Sequence, residues 1–248
     1  MDRIAGNESS HNPRSHWGGA LLTAMLCTTW LVLVASEAGA QCSARDLLRN
    51  QLTRKTTPAS KSPPIALQSA FAVPVWRTIK VGTFANSFAL INALDSAGCS
   101  IGGWAEEILA RPAFTVAARK TNVQLFAVSV AELGFRADTA SLADIYARAQ
   151  QLGFGLAAAE VAPQLRLQFF DQPMGEFLIG MEPIKTWKGE PVILTVANGG
   201  AGLVLIGRDG SADAQIPVAS RFLFVRSNEA ALAKAARGVD EAAARGHR

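Results

Sequence analysis

Residues 160–184 read EVAPQLRLQFFDQPMGEFLIGMEPI, and their reading decides the fold. Within QLRLQFF, Leu165, Leu167 and Phe169 alternate with Arg166 and Gln168, which is the period of a half-buried strand. EFLIGMEPI follows. PVILTVANG (191–199), GLVLIGRDG (202–210) and RFLFVRS (221–227) then come at strand-like intervals. The turn signals QPMG, NGGAG and GRDGSAD separate them, and such short spacings favour antiparallel hairpins. From residue 160 onward the chain therefore reads as β.

Upstream, helical signals dominate. WRTIKVG (76–82) reads as a strand, with Thr78 and Lys80 on one face and Ile79 and Val81 on the other. Asn86 or Ser87 can cap a helix whose apolar stripe is Phe88, Ile91 and Leu94, and Gly98 can stop it. GWAEEILA makes a short helix ending before Pro112, while PAFTVA and NVQLFAVSV read as strands. SLADIYARAQQLG is the clearest helix: Ser141 caps it, Leu142, Ile145 and Ala149 share a face, and Gly153 ends it. Helices gathered early and strands gathered late predict an α+β domain, with N-terminal helices packed on a mainly antiparallel sheet. That domain spans residues 75–227. Residues 228–248 are rich in Ala, Glu, Lys and Arg without an apolar stripe, and read as a weakly helical tail.

Ahead of the domain lies an address. The apolar run 20–35, ALLTAMLCTTWLVLVA, carries no charge, follows a polar leader with Arg3 and Arg14, and precedes Ala38 and Ala40 in an A-x-A arrangement. These are the parts of a secretory signal peptide over 1–40, cut after Ala40. A membrane span needs about 20 apolar residues, so an uncleaved anchor is the other reading, and membrane contact is expected only then. Bulky Gln41 argues against lipidation of Cys42. Residues 41–74 are basic and rich in Ser, Thr and Pro (Arg49, Arg54, Lys55, Lys61), and read as a linker. The expected destination is the periplasm or the exterior.

Composition bounds the chemistry. The chain has 248 residues, 49% apolar and 18% charged, with formal net charge +4, which is globular rather than disordered. Its three histidines are His11, His16 and His247, so the domain has none. Two cysteines, Cys42 and Cys99, lie beyond the signal. In an oxidising compartment they can pair and tether the arm to the domain; the other reading is two unpaired thiols with Cys99 buried.

Between residues 76 and 226 the segments TIKVGT, AGCSIGGWAEEIL, PAFTVA, VSVAELGF, ADIYARAQQLG, EVAPQLRLQFFDQPMGEFLIGMEPI and FLFVRS resemble a widespread bacterial domain family of unknown function. The resemblance implies one domain and bacterial origin, and no reaction. SADAQIPVAS before the last strand, and Ala158-Ala159, depart from the family's pattern.

Several catalytic constellations fail on inspection. Gly98-Cys-Ser-Ile-Gly102 matches G-x-S-x-G, but a helix precedes it and no histidine is at hand to act as base. Asp209–Asp213 has the first spacings of an EF-hand, yet Ala214 stands at the glycine position and Ser220 at the glutamate position; a hairpin turn is the better reading. NGGAG precedes a strand, not the helix a phosphate site needs. No metal or cofactor is implied, and mixed charges argue against nucleic acid. Carboxylates remain. Glu182 stands out in an apolar stretch, with Glu160, Gln164 and Arg166 before it and Glu176 opening the same strand. An Arg166–Glu182 cross-strand pair is the structural reading; a polar face holding a small polar ligand is the functional one. Trp187, in KTWKGE, reads as an exposed loop indole able to stack on a sugar or partner, while Trp104 reads as a core anchor. The leading expectation is a non-catalytic binding domain for an unknown protein or small polar ligand. The alternatives are a carboxylate-dependent hydrolase of an envelope polymer and a tethered envelope component.

Overall fold

In the computed structural model, Cys42 and residues 66–199 and 202–228 are described. The signal segment, most of the linker and most of the tail lie outside these residues. The strands are β1 (Arg77–Val81), β2 (Ser100–Ile101), β3 (Thr121–Ser129), β4 (Thr139–Ser141), β5 (Phe154–Gly155), β6 (Gly175–Ile179), β7 (Ile184–Lys185), β8 (Pro191–Asn198), β9 (Leu203–Asp209), β10 (Gln215–Pro217) and β11 (Arg221–Arg226). The helices are α1 (Ser87–Ser96), α2 (Gly103–Leu109), α3 (Leu142–Gln151) and α4 (Val161–Gln168).

One sheet runs in the order β1, β3, β11, β6, β8, β9, β2. Most pairs are antiparallel, as the short turns predict, but β11 lies parallel to β6 and β2 parallel to β9. The sheet is therefore mixed. β5 adds to the end of β11, β7 to the start of β8, and β4 with β10 forms a separate ribbon. Helix α4 packs against β1 at one end of this order and against β8 and β9 toward the other, so the sheet curls around it. Helix α1 packs on α4, and α2 lies on β8 and β9. From α3, Tyr146 stacks edge-on against Phe222 and Phe224 of β11.

Several local expectations match. Val81 and Ile79 are buried while Thr78 and Lys80 face outward. Asn86 caps α1 through Ala89 N–H, and Ser141 caps α3 through Asp144 N–H. Gly98 and Gly153 end their helices at φ 68° and 94°, a region that favours residues without a Cβ.

Three expectations are corrected. QLRLQFF is not a strand, because Gln164–Gln168 complete helix α4. Pro163 sits in its first turn, where a missing N–H costs nothing, whereas a proline inside a central strand would remove a ladder bond. PAFTVA forms no strand; its Ala117 N–H bonds to a side chain, Glu160, instead of to a neighbouring strand. The buried stripe of α1 is Leu90 and Leu94, while Phe88 is exposed and Ile91 half-buried. Residues ahead of Val75 also join the fold: Leu67 N–H bonds Glu132 O, Ala70 N–H bonds Leu152 O, and Ala70 is buried.

Candidate functional site

Helix α4 and its N-cap bring Glu160, Gln164 and Gln168 onto one face at four-residue spacing, as 3.6 residues per turn requires. That face meets edge strand β1 and the loops around it. Glu160 accepts from Gly82 N–H and Ala117 N–H, each at 2.7 Å, one on each carboxylate oxygen, and from Gln164 Nε2 at 2.9 Å. Gln164 and the Thr83 hydroxyl exchange hydrogen bonds. Gln168 accepts from Lys80 N–H at 2.9 Å and donates to Lys80 O at 2.8 Å, so its carboxamide presents to β1 the pair of groups a further strand would present. A sheet edge covered this way is sealed against pairing with another chain. Glu160 is 1% exposed. Buried, with two charge-assisted backbone bonds, it is a staple between two loops and is not placed to meet a substrate.

Arg166, on the same helix, is fully buried. It donates to Gln172 Oε1 at 2.6 Å and to Phe169 O, and its Nε has no hydrogen-bond partner among the described residues. Burial pulls its pKa down to about 10. The expected Arg166–Glu182 pair does not form: with Arg166 on a helix there is no cross-strand register to share, and Glu182 lies exposed beyond the end of β6. Glu176 instead pairs with Arg208 at 2.5 Å on the surface. Glu160, Glu176 and Glu182 thus occupy three separate settings with no shared partner.

Two other polar side chains are structural. The Tyr146 hydroxyl donates to Met181 O and accepts from Met181 N–H, and burial pushes its pKa well up. Asp209 accepts from the N–H and hydroxyl of Ser211, an Asx turn that accounts for the acidic hairpin. Among the described residues no group of three or more His, Cys, Asp or Glu is placed to hold a metal ion, and no helix is long and apolar enough to cross a membrane.

Trp187 behaves differently. It sits in the turn Thr186–Glu190, closed by Thr186 N–H to Glu190 O at 2.9 Å and Gly189 N–H to Thr186 O at 3.0 Å. Its backbone N–H donates to the Glu107 carboxylate, and the Arg111 guanidinium lies 3.9 Å from its ring centroid. Even so, the residue is 70% exposed. Trp104, Glu107 and Arg111 are spaced i, i+3, i+7, along one face of α2 and the turn that follows it. Trp104 was expected in the core; it is 43% exposed. Its Cβ rests on Gly207 of β9, where an added Cβ would come within 2.6 Å of it, so the glycine lets α2 sit this close to the sheet and leaves the indole at the rim. The 104/107/111 spacing is visible in sequence, but the contact with a turn 80 residues away is not.

Cys42 and Cys99 are both buried, with Cα atoms 4.8 Å apart, within the span of disulfides. Cys42 N–H bonds Ala97 O and Cys42 O accepts from Leu203 N–H, both at 3.0 Å. This places Cys42 between the end of α1 and the start of β9. Compared with protein-family models, curated proteins and solved structures, the chain matches none, so the reading of its function rests on the geometry above.

Proposed function

We propose that the chain is an exported bacterial protein whose domain is a non-catalytic binding module, acting in the periplasm or outside the cell, with Trp187 as its principal contact. The observation that carries this reading is the state of Trp187: exposed, yet fixed through its backbone and on one ring face. Flexible exposed side chains lose rotamer freedom on binding, at about 0.5–1.5 kcal/mol each; the Arg111 contact on the ring and the Glu107 bond to the backbone lower that cost for Trp187. The hydrolase alternative gains no support, because Glu160 is consumed as a staple and Glu176 by Arg208. The A-x-A site after the apolar run supports export, and the adjacent cysteines support a disulfide formed in an oxidising compartment.

Co-sedimentation with an isolated cell-envelope fraction tests the binding. The wild-type domain is expected in the pellet and Trp187→Ala in the supernatant, with no release of soluble sugar from the envelope. Release of sugar that stops in a Glu176→Gln or Glu182→Gln variant would restore the enzyme reading. N-terminal sequencing of the exported protein is expected to begin at Gln41, whereas an intact N-terminus would support the tethered component. Alkylation before reduction is expected to leave Cys42 and Cys99 unlabelled.

A further inference from the structure

We infer that the face built by α2 and the Thr186–Glu190 turn binds a neutral sugar chain, with the open face of Trp187 as the stacking platform and Trp104 as a second one. The inference rests on the binding reading above and names its ligand.

The ring geometry comes first. Arg111 covers one face of the Trp187 indole, and the exposed remainder presents the other face to solvent. An indole face is electron-rich. The axial C–H groups of a pyranose ring are weakly positive and flat enough to lie on it. Trp104 lies on the same helix face as Glu107 and Arg111, and its exposed indole offers a second surface for a chain of linked rings.

The surrounding charges select among ligands. The two elements and their flanks carry both signs: Arg111, Lys185 and Lys188 beside Glu107 and Glu190. An anionic bilayer or a nucleic acid calls for a concentrated positive surface, which this mixed set does not provide. A protein partner calls for contiguous apolar area, and here the exposed large apolar side chains are two indoles set among charges. Hydroxyl groups both donate and accept, so a neutral polyol is the ligand that uses carboxylates and cations side by side. Glu107 offers one oxygen already aligned by its bond to the Trp187 N–H.

Titration calorimetry with cellohexaose and chitohexaose tests the inference. Polygalacturonate and vesicles containing phosphatidylglycerol serve as anionic comparisons. At least one neutral hexaose is expected to bind, and the anionic probes to bind no better. Trp187→Ala is expected to weaken binding about tenfold or more, as loss of a hot-spot aromatic does. Trp187→Phe should retain most of the affinity, and Trp104→Ala should cost less than Trp187→Ala. Equal affinity of wild type and Trp187→Ala for the hexaoses overturns the inference, as does preference for polygalacturonate or the vesicles. If neither hexaose binds while the envelope fraction still retains wild type and not Trp187→Ala, the sugar assignment fails and the binding reading stands. If the envelope fraction retains both proteins equally, the binding reading itself fails.

Discussion

The face of α4 and the face of α2 carry similar side chains and put them to opposite use. On α4 and its cap, Glu160, Gln164, Gln168 and Arg166 spend their hydrogen bonds on backbone groups, on one another and on the side chains of Thr83 and Gln172. At α2, the Glu107 carboxylate accepts the Trp187 backbone N–H and the Arg111 guanidinium stacks on its ring, and the indole stands in solvent. A polar cluster in a sequence is thus not evidence of a site until its partners are known. Where a buried group is saturated by other buried groups, as Glu160 is, its chemistry is used up by folding; where polar groups orient an exposed side chain, as at Trp187, that side chain is available.

Mutation separates the two faces, and the largest effects belong to α4. Arg166→Ala removes a buried guanidinium and leaves Gln172 Oε1 and Phe169 O without their donor, so a loss of about 4 kcal/mol is expected in urea unfolding. Glu160→Ala orphans the N–H groups of Gly82 and Ala117, at roughly 1–3 kcal/mol each for buried donors, and about 3 kcal/mol in total is expected. Gln168→Ala reopens the partly exposed edge of β1 and should cost about 1 kcal/mol; increased self-association on sizing columns would show that the carboxamide was sealing that edge. Trp187→Ala should change stability by no more than about 0.5 kcal/mol, the range of surface substitutions, while abolishing envelope retention. Stable α4 variants, or a Trp187→Ala variant that unfolds, would collapse the distinction between the faces.

How far the sequence reveals this depends on the range of each interaction. Helix α3 was legible in full because its cap, stripe and stop are local: Ser141, then Leu142, Ile145 and Ala149, then Gly153. Strands β1, β3, β8, β9 and β11 were legible from apolar runs and turns. Helix α4 was not, because QLRLQFF satisfies a period of two as well as it satisfies helical spacing. Pro163 and the 160/164/168 repeat were the signals that favour helix. The parallel pairings of β6 with β11 and β2 with β9 join strands distant in the chain, and no local pattern encodes them. The same holds for the site. Trp187 was identifiable as an exposed loop indole, but the carboxylates ranked beside it were ranked by type, without knowledge that backbone N–H groups saturate Glu160, that Arg208 pairs with Glu176 and that Glu182 stands apart.

Trp187 is the contact proposed for this domain, whereas the buried carboxylate Glu160 serves its fold. Envelope co-sedimentation of Trp187→Ala, run beside its melting curve, addresses this most directly. A wild-type melting temperature with loss of retention is expected. Retention equal to wild type at an unchanged melting temperature would contradict it.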